Sequence, residues 1–120
     1  MLKRWVIKLK KTVMIKKNYE FRNILKKGNC YRGNLFDIFV KKNNKSINKL
    51  GIAIGKKAGN SVKRNKIKRL LRENYRLIEE KLNFGNSIII LWKKQADFEV
   101  FDFYIIKEEL KNLLIKSDLI

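Results

Sequence analysis

At 120 residues the chain has room for one domain around one core, and a hydrophobic fraction of 45% is that of an ordinary globular protein rather than a disordered one. Thirty Lys and Arg against 11 Asp and Glu leave a net charge of +19, a field that on so small a body calls for a polyanionic partner. The same inventory excludes other classes: there is no His to serve as the commonest general base or metal ligand, one Cys cannot form an intrachain disulfide, and the longest apolar run, Ile88 to Trp92, is too short to span a membrane.

The charge is unevenly placed. Residues 1–76 hold 24 of the Lys and Arg and three acids, a net of +21, whereas residues 77–120 hold six basic and eight acidic residues. The first two thirds are therefore expected to carry the binding surface and the last third to be scaffold. Residues 1–13 form a basic, mildly amphipathic stretch with no continuous apolar core for a signal peptide. They read as a basic extension, or as a stretch ahead of a start near Met14, leaving 14–120 as a single polyanion-binding domain. A lone Cys30 reads as a small buried hydrophobe, and the compartment as cytoplasmic.

Asn18 is placed to cap a helix running to Lys27, with Gly28 as its left-handed stop. Phe21, Ile24 and Leu25 line one side of it. Leu35 to Lys41 is rich in β-formers and reads as a strand, followed by a polar turn over Lys42 to Lys49. Leu50 to Gly55 (L-G-I-A-I-G) is a second strand whose Gly and Ala leave space for something packed close above. Between Asn60 and Leu82 the period turns helical: Ile67, Leu70, Leu71, Asn74, Leu77, Ile78 and Lys81 fall within about a third of a turn. Asn86 to Trp92 is a continuous apolar run expected of a central strand covered on both faces. Asp102 then caps a closing helix with Phe103, Ile106, Leu110, Leu113 and Leu114 on one stripe. Strand, long helix, strand implies a parallel pair joined by a crossover, and the class is α+β or α/β with helices packed on a sheet.

The most informative stretch is Lys56 to Arg76, K-K-A-G-N-S-V-K-R-N-K-I-K-R-L-L-R-E-N-Y-R. Nine of its residues are basic (Lys56, Lys57, Lys63, Arg64, Lys66, Lys68, Arg69, Arg72 and Arg76) and Glu73 alone is acidic. Arg64, Asn65, Lys68, Arg69, Arg72 and Arg76 share an arc of roughly 140° opposite the apolar stripe. Like charges at helical neighbour spacing repel by a few tenths of a kcal/mol per pair, about 0.2–0.5, a penalty that interposed phosphates offset. The G-K-K-A-G-N-S segment ahead of the helix offers backbone N–H groups at a helix N-terminus, where phosphates bind. Asn65 adds a group able to reach a base edge, a ribose hydroxyl or a hydrated ion. Phe21, Phe36, Phe39 and Tyr31 lie near basic residues, where splayed bases stack at about 1–3 kcal/mol each; Phe36 could equally be core.

This stretch resembles the signature of the bacterial ribonuclease P protein subunit, approximately K-K-x-G-x-A-V-x-R-N-R-x-K-R-x-x-R-E. The similarity runs from about Lys16 to Lys116 and takes in N-Y-E-F-R-N-I-L-K-K-G, L-G-I-A-I-G, G-N-S-I-I-I-L and the final L-x-x-L-L. The resemblance implies a single-domain α+β sandwich like the second domain of ribosomal protein S5, with about four strands and a left-handed crossover through the basic helix. It implies a subunit that assists a catalytic RNA in removing the 5′ leader from precursor tRNA, with Mg²⁺ required by the RNA and no cofactor held by the protein. The partners it implies are ribonuclease P RNA and precursor tRNA, not a membrane or a small molecule. The RNA contacts it implies fall on Arg64, Asn65, Lys68, Arg69 and Arg72, to which the basic pattern adds Lys56, Lys57, Lys63, Lys66 and Arg76 as expected contacts. A leader-binding cleft would be lined by Phe21, Leu25, Phe36 and Phe39, with Lys56 and Lys57 beside it. Two departures stand out: Lys66 takes the place of the last Arg of R-N-R, and Gly55 precedes K-K where Ser is common.

The chain itself is poorly equipped for hydrolysis. Its aspartates, Asp37, Asp97, Asp102 and Asp118, are not spaced as a two-metal site would want, and Ser61 has only cations around it. No catalytic residue is expected in the protein. The alternative readings are a ribosomal or RNA-assembly protein binding structured RNA, and a DNA-binding protein using the basic helix in a major groove.

Overall fold

The computed structural model describes residues 12–93 and 103–120. In chain order they form β1 (Thr12–Met14), α1 (Asn18–Lys27), β2 (Asn29–Arg32), β3 (Phe36–Lys42), β4 (Asn48–Ile54), α2 (Ser61–Ile78), β5 (Asn86–Trp92) and α3 (Phe103–Lys116), with short 3₁₀ turns at Lys56–Ala58 and Glu79–Lys81. The fold is α+β, one mixed sheet of order β1-β4-β5-β3-β2 with three helices. β5 pairs in parallel with β4 (Ile52 opposite Ile90) and antiparallel with β3 (Ile38 opposite Ile90). That central place explains its unbroken apolar run, since both of its faces must be dry. The β4–α2–β5 crossover is the parallel unit expected of strand, long helix, strand.

The two faces of the sheet differ. Ile38, Leu50, Ile88, Ile90 and Trp92 point to one face, where they join Ile67, Leu71 and Tyr75 of α2 and Ile106, Leu110 and Leu114 of α3 in one buried cluster. Each such aliphatic side chain contributes about 1.5–3 kcal/mol by leaving water. On the other face α1 lies across the strands. Ile24 and Ile89 are buried but stand outside the α2–α3 cluster, and Phe21 sits so close over Gly51 that a Cβ there would come within 2.7 Å of Cε2. The space that Gly51 leaves in L-G-I-A-I-G is filled by Phe21.

Several expectations need correction. The sheet has five strands, not four, because Thr12–Met14 pairs with Asn48–Leu50 and Asn29–Arg32 pairs with Asp37–Val40. Thr12 and Val13, assigned to the extension, thus belong to the folded domain, and Thr12 is buried with its hydroxyl 2.9 Å from that of Tyr75. Gly28 does end α1, but at φ −77 rather than in the left-handed region. Its small size matters for another reason: a Cβ would meet the carbonyl oxygens of Ile24 at 2.6 Å and Val40 at 3.0 Å. Asn18 is the first residue of α1, and Lys17 holds the cap position without a side-chain hydrogen bond. Cys30 is exposed on β2, not buried. The expected cap Asp102 lies outside the described residues.

Candidate nucleic-acid interface

The basic helix is seated as its sequence pattern requires. Asn60 caps it, its Oδ1 accepting the Lys63 backbone N–H at 2.9 Å. Ile67, Leu71, Asn74 and Tyr75 are buried, while Lys63, Asn65, Lys66, Lys68, Arg69 and Arg76 are exposed. Leu77 departs from the apolar stripe, being 54% exposed. Two arginines are half-buried at the border: Arg64 donates from Nε to the Gly59 carbonyl at 3.1 Å, and the Nε of Arg72 is sequestered with no hydrogen-bond partner. Arg69 approaches Glu73 at 3.6 Å with its side chain 74% exposed. A pair so open to solvent is worth about 0.2–1 kcal/mol, so Glu73 does not neutralise the face.

Lys56 and Lys57 stand exposed on the 3₁₀ turn between β4 and α2. A Cβ on Gly55 would meet nothing within 4 Å, so this seat has room for the serine of related sequences and nothing in the fold depends on its absence. Gly59, at φ +142, does need to be glycine. Fewer backbone donors are free here than the loop sequence suggests, because Gly59 N–H bonds to the Lys56 carbonyl at 3.2 Å and Asn60 takes that of Lys63. The cationic character of this corner therefore resides chiefly in the lysine ammonium groups.

Three of the four side chains expected to line a cleft lie on the α1-covered side of the sheet. Phe21 and Leu25, four residues apart on α1, are half-buried, as is Phe39 on the sheet face that α1 crosses. The strand register adds side chains that sequence reasoning missed. Cys30 pairs with Phe39, and Ala53 and Leu91 pair with each other on the same face. Only the pairing register could have revealed them. Phe36 does not belong. It points to the opposite face, is fully buried, and stacks on Trp92 with ring centroids 5.9 Å apart, so it is core and cannot touch a bound strand. Asp37, on the cleft face, is held by Lys93 at 2.8 Å and accepts the Gly33 N–H at 3.2 Å.

Two groups titrate away from their ordinary values. The Lys49 ammonium is raised, first by its hydrogen bond to Glu20 at 2.7 Å. Burial pushes the Tyr75 hydroxyl well above the usual phenol range, against a smaller lowering from its bond to Thr12. Among the described residues no three His, Cys, Asp or Glu side chains gather as a metal cradle, and no helix is long and apolar enough to cross a membrane.

A sheet with a cation-faced helix on one side and half-buried aromatic side chains beside α1 on the other has the surface chemistry of a nucleic-acid-binding protein. The family model described as ribonuclease P matches residues 9–118. The chain is 41% identical over 108 residues to the ribonuclease P protein component of Natranaerobius thermophilus, covering 90% of this chain and 92% of that protein. It is 37% identical to that of Clostridium kluyveri, covering 88% and 94%. Among solved structures it is similar to the RNase P protein of Staphylococcus aureus (TM-score 0.79, 32% identity, 88% of this chain and 95% of that one). It is likewise similar to that of Thermotoga maritima (TM-score 0.78, 30% identity, 86% and 96%). The chain belongs to the ribonuclease P protein family, the accessory protein subunit of a ribonucleoprotein endoribonuclease that acts in tRNA 5′ leader processing.

Proposed function

We propose that α2 docks on the ribonuclease P RNA through Lys63, Arg64, Asn65, Lys66, Lys68, Arg69, Arg72 and Arg76, and that the cleft of Phe21, Leu25 and Phe39, with Lys56 and Lys57 at its edge, grips the single-stranded leader of precursor tRNA. The observation that carries the reading is the seating of α2: its apolar side is locked into the core by Ile67, Leu71 and Tyr75, so the backbone positions that bear its cations face outward. A helix already seated in the core meets a phosphate surface without the cost of ordering its backbone. By screening phosphates it lowers the Mg²⁺ that the RNA needs to fold, while the RNA supplies the hydrolytic centre and the protein no ligand to it. The cleft acts on turnover. Precursor carries a leader and product does not, so bases stacked on Phe21 and Phe39 favour substrate over product.

Reconstitution with a bacterial ribonuclease P RNA at low Mg²⁺, scoring leader removal from precursor tRNA, tests both parts. The wild-type chain is expected to stimulate cleavage, and the double reversal Arg64→Glu, Arg69→Glu to abolish the stimulation. Phe21→Ala is expected to leave RNA docking intact and to shrink the difference in affinity between precursor and mature tRNA. A chain that leaves processing unchanged would refute the reading.

A further inference from the structure

On the α1-covered face of the sheet the cleft occupies one side of the helix; the other side holds a second depression that neither α2 nor the cleft accounts for. It lies between α1, β1 and the β3–β4 turn, has a volume of about 880 Å³, and is rimmed by Lys16, Lys17, Lys41, Lys42, Lys45 and Lys49. Glu20, the one acid lining it, is bound to Lys49 at 2.7 Å, so five lysines remain without that carboxylate to balance them. Lys16, Lys17, Lys42 and Lys45 are exposed. Its inner surface mixes the apolar Val13, Met14 and Ile24 with Asn23, Asn43 and Ser87, the Asn43 amide donating to the Ser87 hydroxyl at 3.2 Å. The exposed Tyr19 ring beside it already has the Lys17 ammonium over its face, 5.7 Å from the centroid.

We propose that this trough is a second docking surface for the phosphate backbone of the RNA on which α2 docks, a deepening that rests on the function proposed above. Its chemistry is unlike that of the cleft. A single strand with splayed bases needs aromatic rings such as Phe21 and Phe39 provide, whereas a trough rimmed by six lysines against one carboxylate suits sugar–phosphate and reads no sequence. Its position argues for the RNA bound by α2. The edge strand β1 joins the two surfaces: Thr12 hydrogen-bonds Tyr75 of α2, and the next two residues, Val13 and Met14, line the trough. Cations thus continue from α2 round one edge of the sheet, and RNA engaged at both places clasps that edge. Two weak sites engaged by one molecule bind far more tightly than either alone.

The test is the triple variant Lys17→Ala, Lys42→Ala, Lys45→Ala, whose side chains are exposed and whose loss leaves the core untouched. Its affinity for a bacterial ribonuclease P RNA is expected to fall about tenfold near 0.15 M salt, and the slope of log affinity against log salt to flatten by about 2–3, one contact per lysine. Hydroxyl-radical footprinting of that RNA is expected to lose one protected segment while the segment protected by α2 persists. Unchanged affinity and slope would overturn the proposal. So would a loss seen only with precursor tRNA and growing with leader length, which would assign the trough to the leader. Arg69→Glu run alongside separates the two readings: if it weakens RNA binding while the triple variant does not, the trough proposal alone has failed; if neither weakens it, α2 docking has failed too.

Discussion

Gly51 and Phe21 show how single positions set the cleft. The ring of Phe21 rests where a Gly51 side chain would be, with Ile15 Cδ1 3.3 Å from the same point. Gly51→Ala is therefore expected to push the ring outward at an overpacking cost of about 1–3 kcal/mol. The variant should still dock on ribonuclease P RNA yet discriminate precursor from mature tRNA less well, measurable as the ratio of their dissociation constants. A stable variant with wild-type discrimination would remove Phe21 from the leader site. The gap was readable from L-G-I-A-I-G, but its occupant was not, since the two residues meet only through the fold. Tyr75 gives a second residue-scale test. Its hydroxyl and the Lys49 ammonium both hold their protons more firmly in the fold than at their ordinary values of 10.0 and 10.5. Their stabilisation is thus complete below about pH 10 and is lost as pH rises beyond it. Tyr75→Phe is expected to cost about 0.5–1.5 kcal/mol at neutral pH through the lost Thr12 bond, and to shed part of the alkaline decline. Urea midpoints between pH 8 and 11 check both.

The elements that could be read from sequence were those with enough length for a period: α1, α2, β3, β4, β5 and α3. β1 and β2 could not be read, because three or four residues such as T-V-M and N-C-Y-R carry no pattern and are strands only by pairing at the two sheet edges. The exposure of Cys30 follows from the same fact, since an edge strand has no neighbour on one side. Nor does any local signal show that α3 is tied to the β2–β3 turn. Glu109 Oε2 accepts the backbone N–H of Leu35 at 2.7 Å and of Phe36 at 3.0 Å, across more than seventy residues. Those bonds fix the start of β3, and with it the alternation that turns Phe36 inward and Phe39 into the cleft. Sequence reasoning left Phe36 open between core and cleft because the strand's facing was unknown. Glu109→Ala is expected to destabilise the fold by about 1.5–3 kcal/mol, the range for hydrogen bonds to a charged acceptor, with little direct effect on RNA docking. A thermal melt and a binding isotherm on the same variant separate the two effects.

At the scale of the whole molecule the question is how a net charge of +19 is distributed over a body about 40 × 38 × 27 Å. The asymmetry between residues 1–76 and 77–120 becomes a spatial one: Lys56, Lys57, Lys63, Lys68, Arg69 and Arg76 stand exposed on α2 and the turn before it, while in the last third Glu79 is buried and Glu109 is spent on backbone. Summed charge along the chain therefore understates how positive the α2 side is. Each phosphate met by such a cation releases condensed counterions, and log affinity falls by about 0.7–0.9 for each contact per decade of salt. Six cations on the α2 side alone, with the trough lysines added, correspond to roughly six to ten contacts, so affinity for ribonuclease P RNA should drop about 10³–10⁵-fold between 50 and 200 mM salt. Titrations at four or five salt concentrations yield the slope directly. Arg69→Glu should flatten it by about one contact, whereas Phe21→Ala should leave it unchanged, because a stacked base displaces no counterions. A slope near zero for the wild-type chain would mean that the outward cations of α2 meet no phosphates.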